Sequence, residues 1–268
     1  MKSKNNFATY VISLRDSKKR RESIAIQLKK QNINDYKIID AVRGSDLTAS
    51  EKKSFVFQNK KGEHKWYIKL NNGQIGCSLS HIKAYKELLK TNYQFALILE
   101  DDAIFNEELS DILKDTILDN FNKNAQITLL SELKLFYKKP ITKIKNKGIV
   151  KVLTAVYSHS YFINRSAAIN MINFNFPVKT VADNFMLFWL YCDIDIYGID
   201  PFIVDQNQAF QSDIDTTNEI DEIKRIEKTI KIHKRHILYK RKLHKIKIKF
   251  LKNLIPNMFG SHFKGHDF

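Results

Sequence analysis

The sequence is poor in the residues that mark several protein classes. Two cysteines, Cys77 and Cys192, in 268 residues cannot build a disulfide framework. Both lie in apolar patterns, as reduced cysteines of a cytosolic core do. Four prolines and eight glycines exclude a collagenous or low-complexity chain. No apolar run reaches the roughly 20 residues of a membrane-spanning helix. Phe7 to Leu14, behind a polar and basic start, is too short for a signal-peptide core. No metal-ligand Cys/His spacing stands out. Acid is nearly missing from one stretch. Between Lys224 and Lys252 thirteen basic residues face the single acid Glu227, so twelve units of the +16 formal charge sit there and the body is close to neutral.

What is present supports a sizeable core. Hydrophobic residues make up 43% of the chain, enough for one large domain or one domain with a small appendage. The densest information lies in Phe95-Ala96-Leu97-Ile98-Leu99-Glu100-Asp101-Asp102-Ala103. An apolar run of buried-strand length ends in three consecutive carboxylates. Adjacent anions at a strand end repel one another. A hard divalent cation offsets that repulsion through oxygen ligands and can clamp a diphosphate at the same time. The plainer alternative is a helix start in which Asp102 or Asn106 is the cap.

The flanking pattern predicts alternating strands and helices. Ala8 to Leu14 reads as a strand. Ser17 then stands as a cap before Ile24 and Leu28 at helical spacing. Tyr36 to Val42 reads as a second strand closed by Arg43-Gly44. Leu47 to Glu51 hints at a helix start, and Asn71-Asn72-Gly73 reads as a turn. Ile75, Leu79, Ile82, Tyr85 and Leu88 predict a helix to about Lys90. Such alternation argues for an α/β sheet with parallel neighbours, in which ligands bind beyond the carboxyl ends of strands. Ser13-Leu14-Arg15 and Glu100-Asp101-Asp102 both stand at such ends and are expected to share a cleft. The second part reads as more β-rich: strand-like runs in Ala125 to Ser131 and Ile149 to Asn164, a short helix over Ser166 to Ile172, and short strands at Ile194 to Tyr197 and Phe202 to Val204.

Several segments together resemble glycosyltransferase family 25. They are Tyr10-Val11-Ile12-Ser13-Leu14-Arg15 with Arg20-Arg21-Glu22, Asp40-Ala41-Val42-Arg43-Gly44, Gly73-Gln74-Ile75-Gly76-Cys77-Ser78-Leu79-Ser80-His81, and the Glu100-Asp101-Asp102 block. Weaker matches run from Tyr161 to Ala168, Val181 to Asn184, and Pro201 to Gln206 leading to Gln211-Ser212-Asp213-Ile214. The resemblance spans roughly residues 8 to 215. It implies a GT-A type α/β fold with a Rossmann-like nucleotide-binding half. It further implies a UDP-sugar donor, commonly UDP-galactose, a divalent metal (manganese first, magnesium second), and transfer with inversion.

On that resemblance Asp102 is the direct metal ligand. Glu100 joins it through water or holds the ribose, and Asp101 belongs to the same donor site. Ser13, Leu14 and Arg15 are expected at the nucleoside, and Arg15, Arg20 and Arg43 are candidates for phosphate. Arg20 reads equally as a solvated helix charge. Ser80 and His81 lie in the specific helical block and are expected at the donor, although a lone helical histidine is commonly a structural hydrogen-bonding residue. Cys77 reads as a small buried hydrophobe, and Gly73 and Gly76 as places of close backbone approach. An inverting transfer needs one carboxylate as general base. Asp183, between Val181-Ala182 and Phe185-Met186, is the first choice ahead of Asp193 and Asp213, with a helix N-cap as its plainer role. Gln206 and Ser212 are expected to line the acceptor side.

The expected organisation is a catalytic domain over 1–218 and a basic tail over 219–268. In the tail, Ile223, Ile226, Ile230 and Ile237, then Leu243, Ile246, Phe250 and Leu254, follow helical stripes with cations on the other faces. Such a segment over 223–255 suits an anionic inner-membrane surface. No interleaved aromatic pattern supports nucleic acid. The expectation is thus a cytoplasmic, membrane-peripheral hexosyltransferase acting on a lipooligosaccharide acceptor. Glucose or N-acetylhexosamine transfer is the nearest alternative. A nucleotidyltransferase would want a glycine-rich loop after the first strand, where Ser13 to Ser17 has no glycine. A non-catalytic basic membrane- or nucleic-acid-binding module is the remaining rival.

Overall fold

The computed structural model describes residues 7–59, 64, 66–106, 109, 124–144, 146–155 and 157–210, with Lys231 and the pair 259–260 besides. The predicted tail therefore lies almost wholly outside the described residues, as do Ser212 and Asp213.

The first half alternates as its sequence implies: β1 (Ala8–Ser13), α1 (Lys18–Lys30), β2 (Lys37–Asp40), a 3-10 turn (Gly44–Asp46), α2 (Ala49–Phe55), α3 (Asn72–Leu89) and β3 (Phe95–Glu100). After β3 come β4 (Ala103–Phe105), β5 (Gln126–Leu129), β6 (Leu135–Tyr137), β7 (Thr142–Ile144), β8 (Lys147–Thr154) and β9 (Ser160–Asn164). The chain continues through α4 (Arg165–Asn175), α5 (Phe185–Tyr191), β10 (Asp195–Asp200), β11 (Val204–Gln206) and β12 (Phe259–Gly260).

One mixed sheet runs in the order β12-β6-β8-β10-β5-β9-β3-β1-β2, with β7 on β8. β1 pairs in parallel with both β2 and β3, and β5 with β10. β9 enters antiparallel between β3 and β5 and joins the two groups. The Rossmann-like first half is therefore present, and the α/β expectation holds. β4 and β11 form a separate antiparallel ribbon.

Burial explains the uninterrupted apolar strands. In β3, Ala96 and Ile98 face a cluster built with Tyr85, Leu88, Tyr161 and α5, while Leu97 and Leu99 face a second cluster with Ile24, Leu28 and Phe162. A strand covered on both sides needs no polar alternation. α3 is held at both ends. Asn71 caps its start, accepting from the Gln74 N–H while the Gln74 side chain accepts from the Asn71 N–H. The Asn71-Asn72-Gly73 stretch is thus a reciprocal capping box opening the helix rather than a free turn. At the far end, Arg165 donates to the carbonyls of Leu88, Leu89, Thr91 and Tyr93. Ser17 occupies the N-cap of α1 but its side chain makes no capping hydrogen bond.

Candidate active site

Strand register builds the site. β1 and β3 pair with Ile12 opposite Glu100, so the next residues, Ser13 and Asp101, emerge side by side at the carboxyl ends. The Ser13 hydroxyl donates to Asp101 Oδ2 at 2.6 Å. The two strand ends thus share one cleft, as their sequence positions imply.

Arg20, from the first turn of α1, closes the cluster. Its guanidinium lies 2.7 Å from Asp101 Oδ1 and 2.8 Å from Asp102 Oδ2, with the side chain 15% exposed. It is a largely covered clamp on both acids, which corrects the reading as a solvated helix charge. Periodicity gave no sign of this, because α1 presents a row of cations and only the tertiary fold selects one. Gln206 on β11 donates to Asp102 Oδ2 at 2.9 Å, and the Asn207 N–H donates to the Asp102 carbonyl at 2.8 Å. Gln206 therefore sits on the acid cluster.

Asp102 Oδ2 thus receives two donors, whereas its Oδ1 is buried and accepts from none of the described residues. A buried acceptor without a donor is costly. An oxygen-seeking divalent cation fits such an atom, so the residues present are compatible with the metal the family implies. Electrostatics agree. Burial, with the charge of Glu100 behind it, raises Asp102 against the opposing help of Gln206 and Arg20. Burial also raises Asp101 to about 6 despite Ser13 and Arg20. Both acids lose more to desolvation than Arg20 offsets.

Glu100 behaves differently. Burial alone would raise it, but the hydrogen bond and charge of His81, then His159 and Ser158, hold it down to about 2. His81 Nε2 lies 3.3 Å from Glu100 Oε1, and the Ser158 hydroxyl donates to the same oxygen at 3.0 Å. The other ring nitrogen, Nδ1, meets the Tyr161 hydroxyl at 2.7 Å, which in turn meets the Tyr85 hydroxyl at 2.7 Å. Cys77, one helical turn before His81, is only partly buried as a residue. Its thiol is pushed well up by burial, by Glu100 and by Asp183, and it hydrogen-bonds Ser158. It belongs to a polar cluster, which corrects its reading as a small hydrophobe. Cys77 and His81 stand four residues apart beside the strand-end Glu100, one ligand-type atom of each lying within 4.8 Å of the others.

The remaining expected residues divide. Asp183 precedes α5, and the cap is Asn184, whose side chain accepts from the Leu187 N–H. The charge of Asp183, like those of Glu100 and Asp102, bears on Cys77. The Leu14 carbonyl accepts from Arg21, which also reaches the Ser13 carbonyl and Asp40. Arg15 is 86% exposed and paired with Asp40, and Arg43 is paired with Asp16. Ser80 donates to the Gly76 carbonyl and accepts from the Val42 N–H. It ties α3 to the loop after β2.

The profile of "Glycosyltransferase family 25 (LPS biosynthesis protein)" matches residues 6–186. A Haemophilus influenzae chain with a provisional glycosyltransferase name is 33% identical over 132 residues, 49% of this chain and 44% of that one. Procollagen galactosyltransferase 2 of Mus musculus is 28% identical over 156 residues, 56% of this chain and 24% of that protein. The lipooligosaccharide biosynthesis protein lic2B of Haemophilus influenzae is 27% identical over 165 residues, 59% of each chain. The chain thus spans less than two thirds of the length of each of these relatives.

Proposed function

The chain belongs to glycosyltransferase family 25, and from that premise we propose that this transferase moves a hexose, galactose first, from a UDP-sugar to a lipooligosaccharide acceptor with inversion. The names of the procollagen galactosyltransferases and of lic2B favour galactose and a lipooligosaccharide. On this reading the two joined strand groups are the halves of a GT-A type fold.

The observation that carries the reading is the desolvated acid pair with Asp102 Oδ1 unmatched. Asp102, with Glu100 beside it, would hold a manganese or magnesium ion, whose chemistry is to neutralise charge gathering on the departing diphosphate. The chain's own groups prepare that event. Arg20 fixes the carboxylates of Asp101 and Asp102. Ser13 fixes Asp101 from the β1 side, where the nucleoside is expected. Asp183 is the proposed general base: it takes the proton of the acceptor hydroxyl as that oxygen attacks the anomeric carbon from the face opposite UDP. The basic stretch over 223–255 would keep the enzyme at the anionic surface where such an acceptor resides. Among the described residues no helix is long and apolar enough to cross a membrane.

A donor screen tests this. UDP release is measured with each UDP-sugar, with and without manganese. The expected result is metal-dependent release from UDP-galactose in the presence of acceptor. Release from no UDP-sugar under either condition would overturn the proposal.

A further inference from the structure

We propose that Cys77, His81 and Glu100 form a zinc site of their own beneath the acid cluster. The thiol sulfur, a ring nitrogen and a carboxylate oxygen of this trio all lie within 4.8 Å of one another. Residues 77 and 81 stand four apart on α3 and so share a face, while Glu100 ends the strand beneath it. His81 is 1% exposed and its orientation is fixed. Tyr161 holds Nδ1 at 2.7 Å and stacks on the ring at 5.7 Å between centroids, so Nε2 is the nitrogen turned to Glu100. A hydrogen-bonded outer partner of this kind is the usual companion of a metal-bound imidazole.

The spacing suits a tetrahedral ion. Two light-atom ligands about 2.0–2.1 Å from a tetrahedral centre stand about 3.3 Å apart, and His81 Nε2 and Glu100 Oε1 are 3.3 Å apart. The donor set of one sulfur, one nitrogen and one oxygen favours zinc over the oxygen-seeking manganese and magnesium. Thiolate and carboxylate together carry two negative charges, which a divalent ion balances around the buried His81 ring. Ser158 gives its one hydroxyl hydrogen to Glu100 Oε1 at 3.0 Å and lies within hydrogen-bonding reach of Cys77, so it fixes the carboxylate beside the sulfur. Three protein ligands leave a fourth position for water or a substrate oxygen. Glu100 then borders two sites of different chemistry, and the zinc site stands whether or not Asp102 binds manganese.

The test uses the full-length, untagged protein, stripped with chelator and titrated with zinc or with cobalt as a spectroscopic probe. One tightly held zinc per chain is expected, with a thiolate-to-cobalt charge-transfer band in the near ultraviolet. The band should vanish in Cys77→Ser and persist in Asp102→Asn. Tyr161→Phe should weaken zinc binding by roughly 10- to 100-fold, the usual effect of losing an outer-shell partner. Absence of the charge-transfer band in the unsubstituted protein would overturn the site with no variant needed. So would a Cys77→Ser protein that binds zinc as tightly as the parent. In either case the trio is only a hydrogen-bonded cluster.

Discussion

Asp101 carries a cost that depends on pH. Its carboxyl is raised from 3.8 to about 6 by burial, so the folded state binds a proton more tightly than the unfolded chain. Stability from this group is fully present below about pH 4 and is lost as pH rises through about 6. The loss is on the order of 2–3 kcal/mol at about 1.4 kcal/mol per unit. Urea unfolding of the parent and of Asp101→Asn at pH 4, 5 and 7 should show the difference between them changing across that window. A difference independent of pH would refute the assignment. Arg20→Met should cost about 3–5 kcal/mol at neutral pH, because it leaves two buried carboxylates uncompensated. Manganese should recover part of that loss in thermal melts. Asp102→Asn should lower metal-dependent UDP release by about 100- to 1000-fold, the usual effect of removing one preorganised electrostatic group, with the melting temperature kept or raised.

At the scale of elements, α3 is tied to the loop after β2 through glycine. A methyl group on Gly76 would stand 2.3 Å from the Val42 carbonyl oxygen and 2.7 Å from the Gly44 nitrogen. Both obstacles are backbone and cannot rotate away. Gly76→Ala should therefore destabilise by about 3 kcal/mol or more, above the usual cost of overpacking, and chemical denaturation would measure it. The same helix shows what was legible in sequence. Its apolar spacing foretold the helix, and the β3 run foretold the buried strand. The close approach at Gly76 was also foreseen. That Arg165 would cap α3 was hidden, because a tertiary contact between residues 77 apart leaves no periodic trace. The short strands β6 and β7 were hidden too, since pairing with β8 rather than local pattern makes them.

On the scale of the whole molecule, the cleft was legible and its wiring was not. Ser13 and the acid block were expected to meet because both end parallel strands, and they do. The assignment of Arg20 and Gln206 to those acids depends on how α1 and the β4–β11 ribbon close over the sheet, which no local pattern encodes. The proposed tail makes a separate prediction. Full-length protein should sediment with anionic liposomes, and a chain of residues 1–218 should not. Equal sedimentation would remove the membrane role.

The ribbon also has a consequence for dissecting the enzyme. Asp102 belongs to the first half by sequence, yet Gln206 and Asn207 grip both its side chain and its carbonyl. β11 and the residue that follows it thereby act as a keystone for a residue laid down a hundred positions earlier. Any fragment ending between residues 102 and 206 would carry all three carboxylates and still lack their finished arrangement, so the first half should be inert until its distant counterpart is supplied, even as a separate chain.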